Sequence, residues 1–111
     1  MEIATTRYKR CDVVRPEGRI DTSTAGQLEE VLKALLDEER FRIVLDMEAV
    51  NFVSSKGWWV LINTQKACKK NSRGEIVLVK IGAEIRSSLE IVGMDNYFRT
   101  FEDVTSAVGS F

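Results

Sequence analysis

The segment VNFVSSKGWWVL, residues 50–61, joins two elements that the sequence marks clearly. Upstream, the apolar run at residues 41–47 predicts a strand, because continuous runs are typical of strands covered on both faces. Downstream, residues 57–70 predict a helix. Ser54 and Ser55 fall at the junction. A strand-to-helix junction offers free backbone N–H groups and the positive end of a helix dipole, so it is able to hold an anion.

Length and composition indicate one soluble globular domain. The chain has 111 residues, 44% of them hydrophobic and 30% charged, with a formal net charge of -1. This length fits a single domain spanning residues 1–111. A chain of this size is able to bury one hydrophobic core without disulfides or a structural metal. Charges of both signs are mixed, whereas a nucleic-acid binder usually carries a basic excess. We therefore expect no nucleic-acid partner.

Targeting signals and metal-binding patterns are not visible. No secretory apolar segment follows Met1, and no apolar run approaches the ~18 residues of a bilayer span, so we expect a cytoplasmic chain without a membrane partner. Cys11 and Cys68 lack metal-ligand spacing and read as reduced thiols. The chain has no histidine, which removes the commonest general base and metal ligand. We expect no metal, no cofactor and no catalytic residue.

The N-terminal part predicts a hairpin and a helix. Residues 2–8 and 11–14 favour two strands. Pro16 cannot donate to a ladder, so the second strand is expected to end there or to lie on a sheet edge. The run Asp21-Thr22-Ser23-Thr24 is typical of a helix start. Apolar residues then recur every three or four positions, which predicts a helix over residues 23–37.

The remaining chain alternates between strands and helices. Residues 48–53 are expected to form a loop, residues 75–81 a strand, and the stretch around Ile85 and Leu89 a short helix that Gly93 closes. Residues 97–101 predict a brief extended piece and residues 102–108 a last helix. Alternation of this kind indicates an α/β domain. We expect a small mixed sheet of about four to five strands with about four helices.

Two tryptophans stand on different sides of the helix after Ser55. The face with Gly57, Val60 and Leu61 is the expected core face. Trp59 shares the opposite face with polar residues, and an indole there suggests a contact surface. Partial packing against a neighbouring helix is the plainer explanation. Trp58 is expected to pack at the margin of the core.

Several segments together resemble one family. They are Gly18-Arg19-Ile20-Asp21-Thr22-Ser23-Thr24-Ala25, Ile43-Val44-Leu45-Asp46-Met47, Phe52-Val53-Ser54-Ser55-Lys56-Gly57, and Leu89-Glu90-Ile91-Val92-Gly93-Met94-Asp95-Asn96-Tyr97-Phe98. In this order they resemble the STAS domain, in particular the bacterial anti-sigma factor antagonists. No single segment is highly specific, but the combination covers nearly the whole chain.

The resemblance implies a regulatory cycle rather than an enzyme. Family members bind an anti-sigma factor that is a serine kinase of the histidine-kinase-like ATPase type. The kinase phosphorylates the residue that corresponds to Ser55, and a PP2C-type phosphatase resets the cycle. The unphosphorylated form sequesters the kinase and frees the sigma factor. The candidate partner contacts are Asp21, Thr22, Ser54, Lys56, Trp58 and Trp59, and the chain is expected to be a monomer or a weak homodimer.

Alternatives remain open from the residues themselves. From the residues alone, helix capping, worth about 1 kcal/mol, is the favoured explanation of Ser54 and Ser55. Many family members carry Asp where this chain has Ser54, so Ser54 is a second candidate acceptor. Lys56 stands where family members commonly have a small residue. It either contacts a partner, neutralises a phosphate or is a solvated surface lysine. A non-cycling STAS scaffold in a stress-sensing or transport-associated assembly is the second function. A serine nucleophile is disfavoured, because no Gly-x-Ser-x-Gly elbow is present.

Overall fold

A computed structural model describes residues 1–111 as a three-layer α/β domain. The strands are β1 (Glu2–Arg7), β2 (Asp12–Ile20), β3 (Arg42–Asp46), β4 (Val50–Val53), β5 (Glu75–Val79) and β6 (Arg99–Phe101). The helices are α1 (Ala25–Asp37), α2 (Ser55–Lys69), α3 (Ala83–Ile91) and α4 (Val104–Gly109). The predicted α/β class, mixed sheet and four helices are confirmed. None of the helices has the length and apolar character that crossing a membrane requires.

The sheet is mixed, with one antiparallel pair. Its strand order is β1-β2-β3-β5-β6, and β4 pairs with β2 beside this path. The β1–β2 hairpin is antiparallel, as predicted, and all other pairs are parallel. The C-terminal ends of β2 and β4 therefore meet at one edge. Ser54 and Ser55 leave the sheet there, directly beside the start of α1.

Strand alternation sends side chains into two separate cores. Leu45 and Leu78 belong to the large cluster that also holds the buried residues of α1, α2 and α3. Their neighbours Val44 and Val77 belong to a smaller cluster with Ala107 of α4. Successive strand residues point to opposite faces, so both faces must be apolar. This explains why β3 and β5 read as continuous apolar runs.

The structure corrects the prediction for Pro16. β2 does not end there and is not an edge strand, because it continues to Ile20 between two neighbours. β2 pairs with β3 over residues 12–14 and with β4 from Gly18 onward. Pro16 lies in the interval between the two partners, where no ladder hydrogen bond on that side is lost. Gly18 has a φ of 97°, and the β2–β4 register shifts between it and Arg19, so the irregularity after Pro16 is a β-bulge and not the end of the strand.

The predicted loop over residues 48–53 is also wrong over its last four residues. Val50–Val53 forms β4, with Val50 and Val53 buried and the two residues between them exposed. The two buried residues are three positions apart, so the segment lacks the alternation of apolar and polar residues that predicts a strand. The added strand matters for function, because it carries the chain from the sheet to Ser54.

Candidate functional site

The start of α2 is fixed by a cap and a close backbone approach. Ser54 is the N-cap, and its Oγ accepts a hydrogen bond from the backbone N–H of Gly57 at 3.1 Å. The backbone N–H of Ser54 donates to the carbonyl of Ile20 at 2.8 Å, which ties α2 to the end of β2. A Cβ on Gly57 would lie 2.7 Å from Ile20 Cγ2 and 3.1 Å from the Ile20 carbonyl oxygen. Gly57 is therefore required by packing.

Ser55 is the first residue of α2, and its environment differs from that of Ser54. Its side chain is exposed, and its hydroxyl makes no hydrogen bond within the chain. The backbone N–H groups of Ser55 and Lys56 also donate to no protein group, as the first turn of a helix leaves them free. Ser55 therefore presents a free hydroxyl beside unpaired donors and the positive end of the α2 dipole. α2 therefore begins two residues before the predicted start at residue 57, and Ser55 lies within its first turn.

Lys56 and Trp59 extend the exposed surface around Ser55. The Lys56 side chain is exposed and forms no ion pair. Trp59 is 56% exposed, which confirms that its indole faces away from the core. Residues four apart on a helix are neighbours, so Ser55 and Trp59 share one face. The start of α2 thus presents a hydroxyl, a cation and an indole together.

Trp58 does not fit the partner contact that the sequence suggested. It is 1% exposed and lies inside the main core, deeper than the predicted margin. Its indole Nε1 donates to Ser88 Oγ of α3 at 2.8 Å, and Ser88 Oγ donates to the carbonyl of Val53 at 3.2 Å. At this exposure the side chain offers a partner almost no contact area. Trp58 instead helps to hold α2, α3 and β4 together.

Asp21 organises the turn before α1 rather than capping the helix itself. The helix begins at Ala25, two residues later than predicted, with Thr24 as N-cap. Asp21 Oδ1 accepts hydrogen bonds from Ser23 Oγ at 2.7 Å, from the Ser23 N–H at 2.9 Å and from the Thr24 N–H at 3.2 Å. The hydrogen bond from the Ser23 hydroxyl is the main reason that the pKa of Asp21 is lowered. Thr22 is exposed at the tip of this turn.

The Asp21 turn lies beside the start of α2, because Ile20 and Ser54 are hydrogen-bonded. The structure therefore brings together six of the seven predicted site residues, with Trp58 beneath them. Arg19 is a further cation here, and its guanidinium stacks 4.2 Å above the Phe52 ring. The sequence reading missed Arg19, since only the β2–β4 register pairs it with Phe52.

A groove between β4 and α3 opens directly beside Ser55. Six of its twelve lining residues are hydrophobic, and Ser54, Ser55 and Ser88 are among the others. Two apolar side chains at its border are unusually open: Phe52 is 38% exposed and Ile91 is 85% exposed. Sequence reading missed Ile91, although its place outside the Ile85 and Leu89 stripe was a usable signal. No cluster of three or more carboxylate, thiol or imidazole side chains is suited to hold a metal.

The fold and the site define a small α/β interaction domain that exposes a serine at a helix start. The STAS domain family model matches residues 2–107. BtrV of Bordetella bronchiseptica, assigned as an anti-sigma factor antagonist, is 30% identical over 95 residues, covering 86% of this chain and 81% of BtrV. The anti-sigma-B factor antagonist of Staphylococcus aureus (strain NCTC 8325) is 26% identical over 102 residues, covering 92% and 94%.

A solved structure points to the same family. The crystal structure of an anti-sigma factor antagonist from Mycobacterium paratuberculosis superposes with a TM-score of 0.86 at 25% identity, covering 98% of this chain and 92% of that one. The chain belongs to the STAS domain family. Its named relatives are anti-sigma factor antagonists, which confirms the family that the sequence segments suggested.

Proposed function

We propose that this chain is an anti-sigma factor antagonist that is switched off by phosphorylation of Ser55. In the unphosphorylated form it binds an anti-sigma factor kinase of the histidine-kinase-like ATPase type, and a PP2C-type phosphatase restores that form. The relatives' names support the first part. The observation that carries the second part is the contrast between the two serines: the Ser54 hydroxyl is engaged in the cap, whereas the Ser55 hydroxyl is exposed and unbonded.

The surroundings of Ser55 suit a modification that leaves the fold intact. A phosphate would add a charge of about -1.5 to -2 at neutral pH. The free N–H groups of Ser55 and Lys56 and the α2 dipole favour negative charge at that place. Lys56 is an exposed cation next to it. The domain is therefore expected to keep its structure when phosphorylated, and the effect falls on the surface instead.

The surface around Ser55 suits a partner that phosphate would repel. Phe52, Trp59 and Ile91 expose apolar area close to the hydroxyl. Covering them with a partner removes water from the same patch. A doubly charged phosphate inside that patch would lose its hydration on binding, and Lys56 and the α2 dipole offset only part of that cost of several kcal/mol. Binding and phosphorylation are thus expected to exclude each other. We propose no catalytic role for any residue of this chain.

Phosphorylation of wild type, Ser54→Ala and Ser55→Ala by the cognate kinase and ATP tests the assignment, with intact mass as the readout. We expect one phosphate on wild type and on Ser54→Ala, and none on Ser55→Ala. Loss of the cap in Ser54→Ala weakens the helix start by about 1 kcal/mol without removing the acceptor. A full phosphate gain by Ser55→Ala would transfer the role to another residue.

A further inference from the structure

We propose that the end of the domain opposite Ser55 is a docking surface for an extended acidic segment of a partner protein. The surface is a groove made of two adjoining cavities along the N-terminal ends of the parallel strands. We call it the basic groove. Six of its cations are Lys9, Arg10, Arg40, Arg42, Arg73 and Arg99. This inference is independent of the role proposed for Ser55.

The two cavities form one continuous groove, because Arg10, Arg42 and Arg73 line both of them. The groove crosses the sheet past the starts of β2, β3, β5 and β6, in that order. Neighbouring strands lie about 4.8 Å apart, so the four starts span about 14 Å. An extended polypeptide covers that distance with about four residues, at about 3.4 Å each. The groove therefore has the length of a short extended segment rather than that of a single small anion.

The basic groove concentrates positive charge in a chain whose formal net charge is -1. Seven cationic side chains line it, against the two carboxylates of Glu39 and Glu75. Arg40 pairs with Asp12 at 2.7 Å. Arg99 pairs with Glu75 at 2.7 Å, and the other five cations form no ion pair within the chain. Unpaired like charges along one concave surface repel each other and attract an oppositely charged partner.

Arg73, which lines both cavities, is held in place by packing. Its guanidinium lies 4.0 Å from the centre of the Phe41 ring, and its Nε donates to the carbonyl of Lys70 at 3.2 Å. A Cβ at Gly74 would stand 2.2 Å from the Phe41 carbonyl oxygen, so only glycine permits this approach of the β5 entrance to the β3 entrance. Arg73 is therefore oriented before a partner arrives, which lowers the entropic cost of binding.

The side chains of the groove suit carboxylates that are spread along a chain. Five of the seven cations are arginines, whose planar fork binds a carboxylate through two parallel hydrogen bonds. Glu39 and Glu75 would repel a compact polyanion, whereas they are able to accept hydrogen bonds from the N–H groups of a peptide backbone. Each cavity has only one hydrophobic lining residue, so the groove offers no pocket for a large apolar anchor. An acidic extended segment therefore fits better than an amphipathic helix.

The basic groove and Ser55 lie at opposite ends of α2. The 15 residues of this helix separate Ser55 from Lys69 by about 21 Å at roughly 1.5 Å per residue. A segment in the groove would leave the surface around Ser55 free, so the two surfaces are able to hold separate partners. Binding of an acidic peptide is therefore expected to agree within twofold between wild type and Ser55→Asp.

Titration of the isotope-labelled full chain with acetylated, amidated hexaglutamate tests the proposal, with amide NMR shifts as the readout. The variant is Arg10→Gln/Arg42→Gln, because both side chains are exposed and make no hydrogen bond. Lys33→Gln/Lys66→Gln removes the same charge from exposed positions outside the groove. We expect hexaglutamate affinity to fall at least tenfold in the first double variant and less than twofold in the second.

Citrate separates an extended site from a compact one. It carries three carboxylates in one small molecule, so it cannot span the groove. We expect it to bind at least tenfold more weakly than hexaglutamate. The hexaglutamate shifts are expected at residues 9–10, 41–42, 69–75 and 99.

The absence of saturable shifts in wild type would overturn the proposal directly. An equal loss of affinity in both double variants would mean unspecific attraction. Citrate binding as tightly as hexaglutamate would mean a site for compact anions. Octathymidylate binding more tightly than hexaglutamate would mean a nucleic-acid site. Shifts confined to residues 54–57 would place the peptide on the surface around Ser55 instead.

Discussion

Trp58 Nε1 donates a hydrogen bond to Ser88 Oγ at 2.8 Å, and this contact joins α2 to α3 behind the exposed Ser55. Ser88→Ala would leave a buried indole N–H without an acceptor. An unsatisfied buried donor costs about 1–3 kcal/mol, so we expect the free energy of unfolding to fall by that amount in urea titrations.

The neighbouring Ser87 supplies a matched control for Ser88. It is exposed and makes no hydrogen bond. Ser87→Ala is expected to change stability by no more than about 0.5 kcal/mol, as for most surface substitutions. Equal stability of the two variants would mean that the Trp58 contact contributes nothing.

Gly57→Ala is expected to destabilise the domain by about 1–3 kcal/mol, because the added methyl meets the Ile20 backbone and side chain and cannot be relieved by one rotamer change. The control is Gly26→Ala in α1, where a Cβ meets nothing within 4 Å. Alanine is the better helix former there, and we expect a gain of about 0.5–1 kcal/mol. Thermal unfolding followed by circular dichroism measures both. A stable Gly57→Ala would contradict the close packing of α2 on β2.

Trp59→Ala and Ile91→Ala are expected to weaken binding of the anti-sigma factor while leaving stability nearly unchanged. Both side chains are mostly exposed, so truncation removes partner contact rather than core packing. Loss of an aromatic anchor at an interface typically costs 2 kcal/mol or more, which corresponds to roughly thirtyfold in affinity. Asn63→Ala, on the same face of α2 as Trp59, is the control. Affinities within twofold of wild type for both variants would rule out this surface.

Asp21 is expected to make stability depend on pH in the acid range. Its pKa is lowered in the folded state, chiefly by the Ser23 hydroxyl, so the stabilisation is complete above the unfolded pKa of about 3.9. It is lost as the pH falls through the lower folded value. Asp21→Asn keeps the acceptor oxygen and removes the charge.

The measurement is the urea midpoint of wild type and Asp21→Asn at about pH 6 and about pH 2.5. We expect a lower midpoint for the variant at the higher pH and a smaller difference at the lower one. Asp95→Asn, at an exposed aspartate without hydrogen bonds, should show no such change. A difference in urea midpoint between wild type and Asp21→Asn that grows as the pH falls would contradict this prediction.

Much of the fold could be predicted because its signals are local. A few neighbouring residues are enough to recognise the apolar runs of β3 and β5, the apolar stripe of α1 and the glycine at position 57. β4 escaped because only two of its four residues are buried. The prediction that β2 ends at Pro16 was wrong because the strand accommodates a proline where it changes partner from β3 to β4, and the sequence does not show that position.

The site was predictable in part for the same reason. Ser54, Ser55 and Trp59 are close in sequence, and a helical wheel places them correctly. The sequence did not place Ser88 and Ile91 at the site, because they lie 30 or more residues from the two serines and come near them only through tertiary packing.

We propose that phosphorylation switches partner binding by adding negative charge at Ser55. This proposal is tested most directly by measuring the affinity of wild type, Ser55→Ala and Ser55→Asp for the anti-sigma factor kinase of the same cells. We expect wild type and Ser55→Ala to bind within threefold of each other and Ser55→Asp to bind at least tenfold more weakly. Equal binding by all three would contradict the switch and would favour a non-cycling STAS module.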